Sequence, residues 1–232
     1  MISYAGKSIQ GLKTIKNRFR NRFRSQNDKK NIVEYLAEKK IKKLHIGCGR
    51  NFLDGWLNSD LSPNSQDIIS IDATAPFPFK NETFDYIFSE HMIEHISYPN
   101  GLLMLNECYR ILKNSGTIRI STPDLFFLID LYGDKKTKLQ EDYIKWATDN
   151  FVKYAPCYDS IFVINNFVRD WGHLFIYDEK TLRASLKSAG FKNVVRCNLN
   201  ESANEALCGL ENENRMPEGF LKLESITLEG EK

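Results

Sequence analysis

The sequence has no long apolar segment and no cysteine pair. Its longest apolar runs, such as Leu125-Phe-Phe-Leu-Ile129, fall far short of the roughly 20 residues that cross a bilayer. The amino terminus lacks the continuous apolar stretch of a secretory signal. The five cysteines are odd in number and form no Cys-x-x-Cys pair, which argues against a disulfide framework and against a zinc knuckle. We therefore expect a reduced, cytoplasmic protein.

The sequence also has little net charge, only +2, but the charge is unevenly distributed. Residues 7–30 carry nine basic residues and a single acid, Asp28. We assign residues 1–30 to a basic N-terminal arm or helix and residues 31–232 to one domain. A solvated extension is the simpler interpretation of the arm. The alternative is peripheral contact with an anionic membrane face, and we do not expect nucleic acid as a partner.

Short apolar runs typical of buried strands alternate with segments of helical periodicity. Helices are predicted at residues 31–40, 99–112 and 178–190. Strands are predicted at residues 43–46, 56–60, 68–72, 84–89, 117–121, 193–198 and 221–228. This alternation indicates an α/β fold with a mostly parallel sheet. Residues 124–168 are aromatic-rich and helical in pattern, which predicts a helical insertion or acceptor lid after the fifth strand.

The ends of three successive predicted strands carry residues suited to binding a nucleoside. The first strand runs into Gly47-Cys48-Gly49, where two glycines let the backbone turn sharply and approach a ligand. The second ends at Asp60, whose carboxylate can accept both hydroxyls of a ribose. The third ends at Asp72, which can face an adenine amino group. Each acid alone fits a turn or a helix cap almost as well, but their order favours a binding site.

Several segments of the sequence resemble the class I methyltransferases. They are Leu44-His-Ile-Gly-Cys-Gly49, Gly55-Trp-Leu-Asn-Ser-Asp60, and the segments 84–95, 108–124, 172–178 and 189–191. Within that class the sequence is similar to predicted bacterial methyltransferases often associated with surface-polysaccharide genes. The resemblance covers about residues 40–192. It implies a Rossmann-like, doubly wound sheet of seven strands and methyl transfer from S-adenosylmethionine.

The resemblance also implies which residues contact this cofactor. They are Gly47 and Gly49 at the methionine end, Asp60 at the ribose, Asp72 at the adenine, and Glu90 with His91 beneath the sulfonium, together with Cys48, Leu61 and Ala73. Two features depart from the family pattern. Asn51 replaces the usual third glycine, and the segment between Gly49 and Asp60 is too short for a full first helix. The carboxylate of the cofactor would then meet fewer helix-terminal amides, with Arg50 as a substitute.

Three histidines, His91, His95 and His173, are the candidates for catalysis. A hydroxyl acceptor must lose its proton during methyl transfer, and a histidine of near-neutral pKa suits that task. The alternative for each is a histidine that caps a helix or pairs with the backbone. His45 lies on a core strand and is expected to be structural.

The stretch His91-Met-Ile-Glu94-His95 also matches the inverted zinc-protease signature. That signature needs both histidines on one face of a helix, whereas this stretch follows a buried strand, so we do not expect a protease. A milder alternative is a metal ion held by Glu94 and the histidines, including His173. Our prediction is a site without metal.

Arg169 and Trp171 lie close to His173 in sequence and are the predicted acceptor contacts. A cation and an aromatic face suit a sugar or a phosphate. We therefore predict O-methylation of a sugar, glycan or other small molecule. The alternatives are an RNA methyltransferase with a metal-assisted hydroxyl, and a non-catalytic cofactor-binding scaffold. An NAD-dependent oxidoreductase is disfavoured by the missing third glycine.

Overall fold

The computed structural model describes residues 26–232. Most of the predicted basic arm, residues 1–25, lies outside this part, so the predicted membrane contact stays a prediction. Residues 26–38 form helix α1, and its side chains Tyr35 and Leu36 pack against the main core. The Tyr35 hydroxyl donates to the carbonyl of Lys43 at 2.9 Å, which fixes the helix beside the first strand. None of the described helices is long and apolar enough to cross a bilayer.

Seven strands form one sheet. They are β1 (Lys43–Ile46), β2 (Leu57–Asp60), β3 (Ile69–Ser70), β4 (Phe84–Glu90), β5 (Leu112–Pro123), β6 (Lys192–Cys197) and β7 (Ser225–Glu231). Their order across the sheet is β3-β2-β1-β4-β5-β7-β6. The first five strands are parallel, and β7 is antiparallel to both of its neighbours. The predicted Rossmann-like, mostly parallel seven-stranded sheet is confirmed.

The remaining helices are α2 (Tyr98–Ile111), α3 (Leu125–Tyr132), α4 (Lys138–Phe151), α5 (Ser160–Arg169), α6 (Glu179–Ser188) and α7 (Phe220–Glu224). Asp178 caps α6 as predicted, because its carboxylate accepts the amide of Thr181. Thr137 and Gln140 cap α4 reciprocally. Helices α3 to α5 form the predicted helical insertion after the fifth strand, and their buried faces share a second hydrophobic cluster with Phe220.

The last strand is the clearest error of the sequence prediction. Residues 221–228 were expected to be a strand, but Phe220–Glu224 form α7 and the strand starts at Ser225. Phe220 packs into the cluster of the helical insertion, so tertiary contacts override the local strand pattern. The third strand is also shorter than the predicted 68–72, since only Ile69–Ser70 pair with a neighbour. Beyond it, the carboxylate of Asp72 accepts the amide of Thr74 and turns the chain.

The two faces of the sheet are covered differently. Ile87 points into the main core, where α1, α2 and α6 pack on one face. Its neighbour Phe88 points to the opposite face, as successive strand residues do, and meets Trp56, Leu207 and Leu210. The turn of residues 51–56 contains no helix, which confirms the tight turn expected between the first two strands. This second face is therefore covered partly by the segment that follows β6.

Candidate functional site

The strand order places the predicted cofactor residues in one row. Strands β3, β2, β1 and β4 are adjacent and parallel, so their carboxyl ends meet at the same edge of the sheet. Along that edge lie Asp72, Asp60, the bend of residues 47–49 and Glu90, in this order. An extended ligand can therefore contact all four strand ends at once.

The glycine bend has a backbone that favours glycine at both ends. Gly47 has φ 70° and Gly49 has φ 53°, in the left-handed region. A Cβ on Gly47 would lie 2.3 Å from Cγ of Met92, which forbids a larger residue there. A Cβ on Gly49 would meet no heavy atom of the described residues within 4 Å, so the bend opens onto free space. Between them, Cys48 is buried, and burial raises the pKa of its thiol to about 11.

The two aspartates are oriented by backbone amides. Oδ2 of Asp60 accepts the amide of Gly49 at 3.0 Å, and Oδ1 accepts the amide of Ser62 at 2.8 Å. Oδ1 of Asp72 accepts both the amide and the hydroxyl of Thr74. A carboxylate offers about four lone-pair positions, so each acid keeps capacity for a ligand. Asp72 can therefore stabilise its turn and still contact a ligand.

The side chains next to the two aspartates differ in exposure. Leu61 is 66% exposed beside Asp60. Ala73 is partly buried and packs against the main core beside Asp72. The side chain of Leu61 is therefore accessible to a ligand that lies along this edge of the sheet.

Glu90 and Asn51 connect the bend to a distant part of the chain. Asn51 donates from Nδ2 to Oε2 of Glu90 at 3.3 Å and to the carbonyl of Leu210 at 3.1 Å. Oε1 of Glu90 accepts the amide of Asn212 at 3.2 Å. Burial raises the pKa of Glu90, and the positive charge of Arg215 opposes this shift. Asn51, which stands where the family pattern has its third glycine, therefore joins the bend to residues 210–212.

A cavity of about 300 Å³ lies beyond the end of β4. Its lining is aromatic on one side and ionisable on the other. The lining residues are His91, Glu94, His95, Pro123, Tyr143, Trp146, Phe151, Phe167, Trp171, His173, Arg215, Met216 and Glu224. His91 follows Glu90 directly in sequence, so the cavity adjoins the row of strand ends. The structure thus brings all three predicted histidines to one cavity.

The three histidines differ in their surroundings. His91 is almost buried, and its Nε2 hydrogen-bonds Oγ of Ser225 at 2.8 Å. The ring centroids of His95 and His173 lie 4.9 Å apart. Nδ1 of His173 donates to the carbonyl of Phe167 at 2.6 Å. Burial lowers the pKa of all three imidazoles. His45 lies elsewhere, in the core, where Nδ1 contacts Asn58 as expected of a structural residue.

Glu94 is fully buried between the histidines. Its Oε1 lies 3.5 Å from Nδ1 of His91 and 3.8 Å from Nε2 of His95. Burial raises the pKa of Glu94 to about 8. Glu94, His95 and His173 each offer one ligand atom, and the three atoms lie within 4.8 Å of one another. These residues can therefore surround a metal ion. Ile93–His95 is a single 3₁₀ turn, not the helix that the zinc-protease signature requires.

The two predicted acceptor residues are placed differently. Trp171 lines the cavity, and its ring packs edge-on against Phe151 and Phe167. Arg169, the last residue of α5, is exposed and is not among the residues that line this cavity. Trp171 therefore lies at the cavity and Arg169 does not, and acceptor contact by either residue stays a prediction.

Residues 14–195 match the protein family described as Methyltransferase domain. The chain belongs to this family. With the strand order and the strand-end residues described above, it is a class I methyltransferase whose methyl donor is S-adenosylmethionine. No curated protein sequence matches the chain significantly.

Solved structures resemble the methyltransferase at low sequence identity. A SAM-dependent methyltransferase from Archaeoglobus fulgidus is 16% identical, with a TM-score of 0.46, covering 92% of this chain and 94% of that one. A possible histamine N-methyltransferase from Thermotoga maritima is 16% identical, with a TM-score of 0.44, covering 93% and 97%. A methyltransferase from Mesorhizobium loti is 13% identical, with a TM-score of 0.46, covering 83% and 91%. The family assignment rests on the sequence match.

The residues of the methyltransferase fit its cofactor. The open space above Gly49 admits the methionine end, since no side chain of the described residues fills it. Asp60 is held by the amides of Gly49 and Ser62 beside that space, where a ribose-binding carboxylate is needed. The buried carboxyl of Glu90 closes the far end of the row.

Sequence analysis missed three ionisable residues of the cavity, Tyr143, Arg215 and Glu224. The Tyr143 hydroxyl donates to Oε2 of Glu224. Arg215 forms an ion pair with Oε1 of Glu224 at 3.8 Å. Burial raises the pKa of Glu224 to about 7. No motif or spacing links these residues, because they come from α4, from α7 and from the loop before α7.

Proposed function

We propose that the methyltransferase acts on a hydroxyl group of a sugar, a glycan or another small-molecule acceptor. The observation that carries this proposal is the cavity of about 300 Å³ at the end of β4, which has aromatic walls and three histidines. Small-molecule sites have volumes of roughly 300 Å³ and more, with mostly apolar walls and a few converging polar groups. The cavity has this composition.

The cofactor supplies a methyl group already activated on a sulfonium, so little chemistry is asked of the protein. Its residues orient the two substrates and exclude water. We assign the glycine bend to the methionine end, Asp60 to the ribose hydroxyls and Asp72 to the adenine. Glu90 is the member of the row nearest the cavity, since it directly precedes His91, and we assign its carboxyl to the position where the methyl group would meet the acceptor.

The aromatic side of the cavity is assigned to the acceptor. Trp146, Phe151 and Trp171 present ring edges and faces toward the same space. The apolar face of a sugar ring can stack on such rings, while its hydroxyls reach the polar side. We propose that His95 and His173, directly or through an ion that they bind, lie against the reacting hydroxyl and assist the loss of its proton. His91, which is held by Ser225, orients Glu94 between them.

Methyl transfer to defined acceptors tests the proposal. The protein is incubated with S-adenosylmethionine labelled in the methyl group and with free sugars, nucleotide sugars, lipid-linked glycans or short RNA. Labelled product from a sugar-containing acceptor is expected, with acid-stable ether linkage of the methyl group. Binding of S-adenosylhomocysteine without product from any acceptor would instead support the scaffold alternative. Product from RNA alone would contradict the small-molecule assignment.

A pair of variants connects the reaction to the cavity. Trp171→Ala removes an aromatic wall, and we expect kcat/KM for the acceptor to fall by about tenfold, which corresponds to 1.4 kcal/mol. Tyr154 is an exposed aromatic residue that follows α4 and does not line the cavity. Tyr154→Ala should leave the reaction unchanged. Equal effects of the two substitutions would argue against the cavity as the acceptor site.

A further inference from the structure

We propose that Glu94, His95 and His173 bind a divalent transition-metal ion whose open coordination positions face the cavity. The proposal rests on the proposed function in one respect, since the open positions are where an acceptor hydroxyl would bind. The metal site itself is argued from three ligand atoms that lie within 4.8 Å of one another. Two imidazole nitrogens and one carboxylate oxygen form a ligand set that proteins use for zinc, iron and related ions.

The carboxylate of Glu94 is fixed in place but incompletely paired. The Thr122 hydroxyl donates to Oε2 at 3.1 Å. Oε1 is buried and has no hydrogen-bond partner among residues 26–232. A buried carboxylate oxygen without a partner is costly, because it has lost its contact with water. Oε1 points toward His91 and His95, so any compensating positive charge must lie between Glu94 and these rings.

The two other proposed ligands present the same ring nitrogen. Nδ1 of His173 donates to the carbonyl of Phe167, which leaves Nε2 with a free lone pair. The backbone of Trp171 and Gly172 faces His95, with Nδ1 on the Gly172 side. Nε2 of His95 is the atom 3.8 Å from Oε1 of Glu94. Metal-binding histidines commonly donate the other ring N–H to a backbone carbonyl in this way.

Oε1 of Glu94 and Nε2 of His95 therefore lie 3.8 Å apart with no hydrogen bond between them, and His173 offers its ligand atom within 4.8 Å of both. Lone pairs in such an arrangement repel one another unless a cation or a proton lies among them. Ligand atoms about 2.0–2.2 Å from one zinc ion lie roughly 3–4 Å apart. The three atoms lie within 4.8 Å of one another, and a small rotation of the His95 side chain, which is 38% exposed, would bring them closer. Arg215 pairs with Glu224, which offsets its positive charge.

Metal binding by the full-length protein tests the proposal without reference to methyl transfer. The protein is freed of metal with a chelator and titrated with Co²⁺, and the visible absorption of the bound ion is recorded. Calorimetry with Zn²⁺ measures the affinity. We expect one ion per chain. Glu94→Gln and His173→Asn should each weaken binding by about 10- to 100-fold or more, as the loss of a metal contact does.

Glu141→Gln is the control, since Glu141 is a carboxyl on α4 that does not line the cavity. It should bind Co²⁺ as the unmodified protein does, and circular dichroism checks that all variants are folded. No Co²⁺ binding, or equal affinity in Glu94→Gln, would overturn the metal site and leave a proton between the ligands. That result would not affect the acceptor assay. Conversely, a protein that binds Co²⁺ but methylates none of the acceptors would contradict only the proposed function.

Discussion

Arg119, on β5, donates from Nε to Oε1 of Glu211 at 2.7 Å, and both side chains are completely buried. The guanidinium also contacts Glu229 and donates to the carbonyls of Asn198 and Glu201. The segment after β6 is thereby fastened to the sheet. The two neighbours of Glu211 in sequence are the residues that hydrogen-bond Asn51 and Glu90. This buried ion pair therefore positions Asn51 and Glu90, at one end of the row of strand ends.

Replacing Arg119 with methionine should destabilise the fold and weaken cofactor binding together. Glu211 and Glu229 would be left buried without their cation, which costs about 3–5 kcal/mol. The free energy of unfolding is measured with urea, and the affinity for S-adenosylhomocysteine is measured by calorimetry at a temperature where the variant is folded. Lys138→Ala removes an exposed ion pair with Asp142 and should leave the free energy of unfolding nearly unchanged. Equal effects of the two changes would contradict the assigned position of Arg119.

Gly49→Ala should weaken cofactor binding, because the new Cβ enters the open space above the bend. Gly55 is the matched control: it too has a positive φ, 74° against 53° for Gly49, and it too has open space around a built Cβ. Both alanines carry a backbone strain of roughly 1–2 kcal/mol. Only Gly49→Ala is expected to reduce the affinity for S-adenosylhomocysteine, by about tenfold or more. A similar loss in Gly55→Ala would mean that strain, not contact, causes the effect.

The row of strand ends could be predicted because its signals are local. An apolar run followed at once by glycine or aspartate marks a strand end, and parallel neighbours bring such ends to one edge. Gly47, Asp60 and Asp72 were found in this way. The cap of α6 by Asp178 was likewise predictable from a few adjacent residues.

The remainder of the site depends on contacts between distant segments. Asn51 was noticed only as a missing glycine, whereas its side chain meets Glu90 and Leu210, the latter 159 residues away. Arg215 lies in the loop before α7, and Glu224 lies in α7. The local pattern predicted a strand where α7 is found. No pattern in a single sequence indicates contacts between such distant segments, so these residues could be identified only from the structure.

Asp60→Asn should reduce the affinity for S-adenosylhomocysteine, and circular dichroism checks that the variant is folded. The amide keeps the size of the carboxylate but loses its charge and one acceptor oxygen. Hydrogen bonds to charged groups contribute about 1.5–3 kcal/mol, so we expect Kd to rise about tenfold or more. Asp67, in the loop after β2, is exposed and serves as the control. Calorimetry that shows the same Kd for Asp60→Asn and Asp67→Asn would rule out the ribose contact.

Glu224→Gln should flatten the dependence of stability on pH. Burial raises the pKa of Glu224 to about 7 from its ordinary 4.5, so the folded protein keeps a proton that the unfolded chain has released. The free energy of unfolding therefore falls as the pH rises from 4.5 to 7, by at most about 3 kcal/mol. Glutamine cannot titrate, and its oxygen still accepts the Tyr143 hydroxyl.

Urea unfolding at pH 5 and pH 8 measures this difference for both proteins. Part of the decline should persist in the variant, because burial also raises the pKa of Glu94, to about 8. The variant should lose less stability between the two pH values than the unmodified protein does. An identical loss in both would show that Glu224 is ionised throughout this range, held so by Arg215 across the cavity.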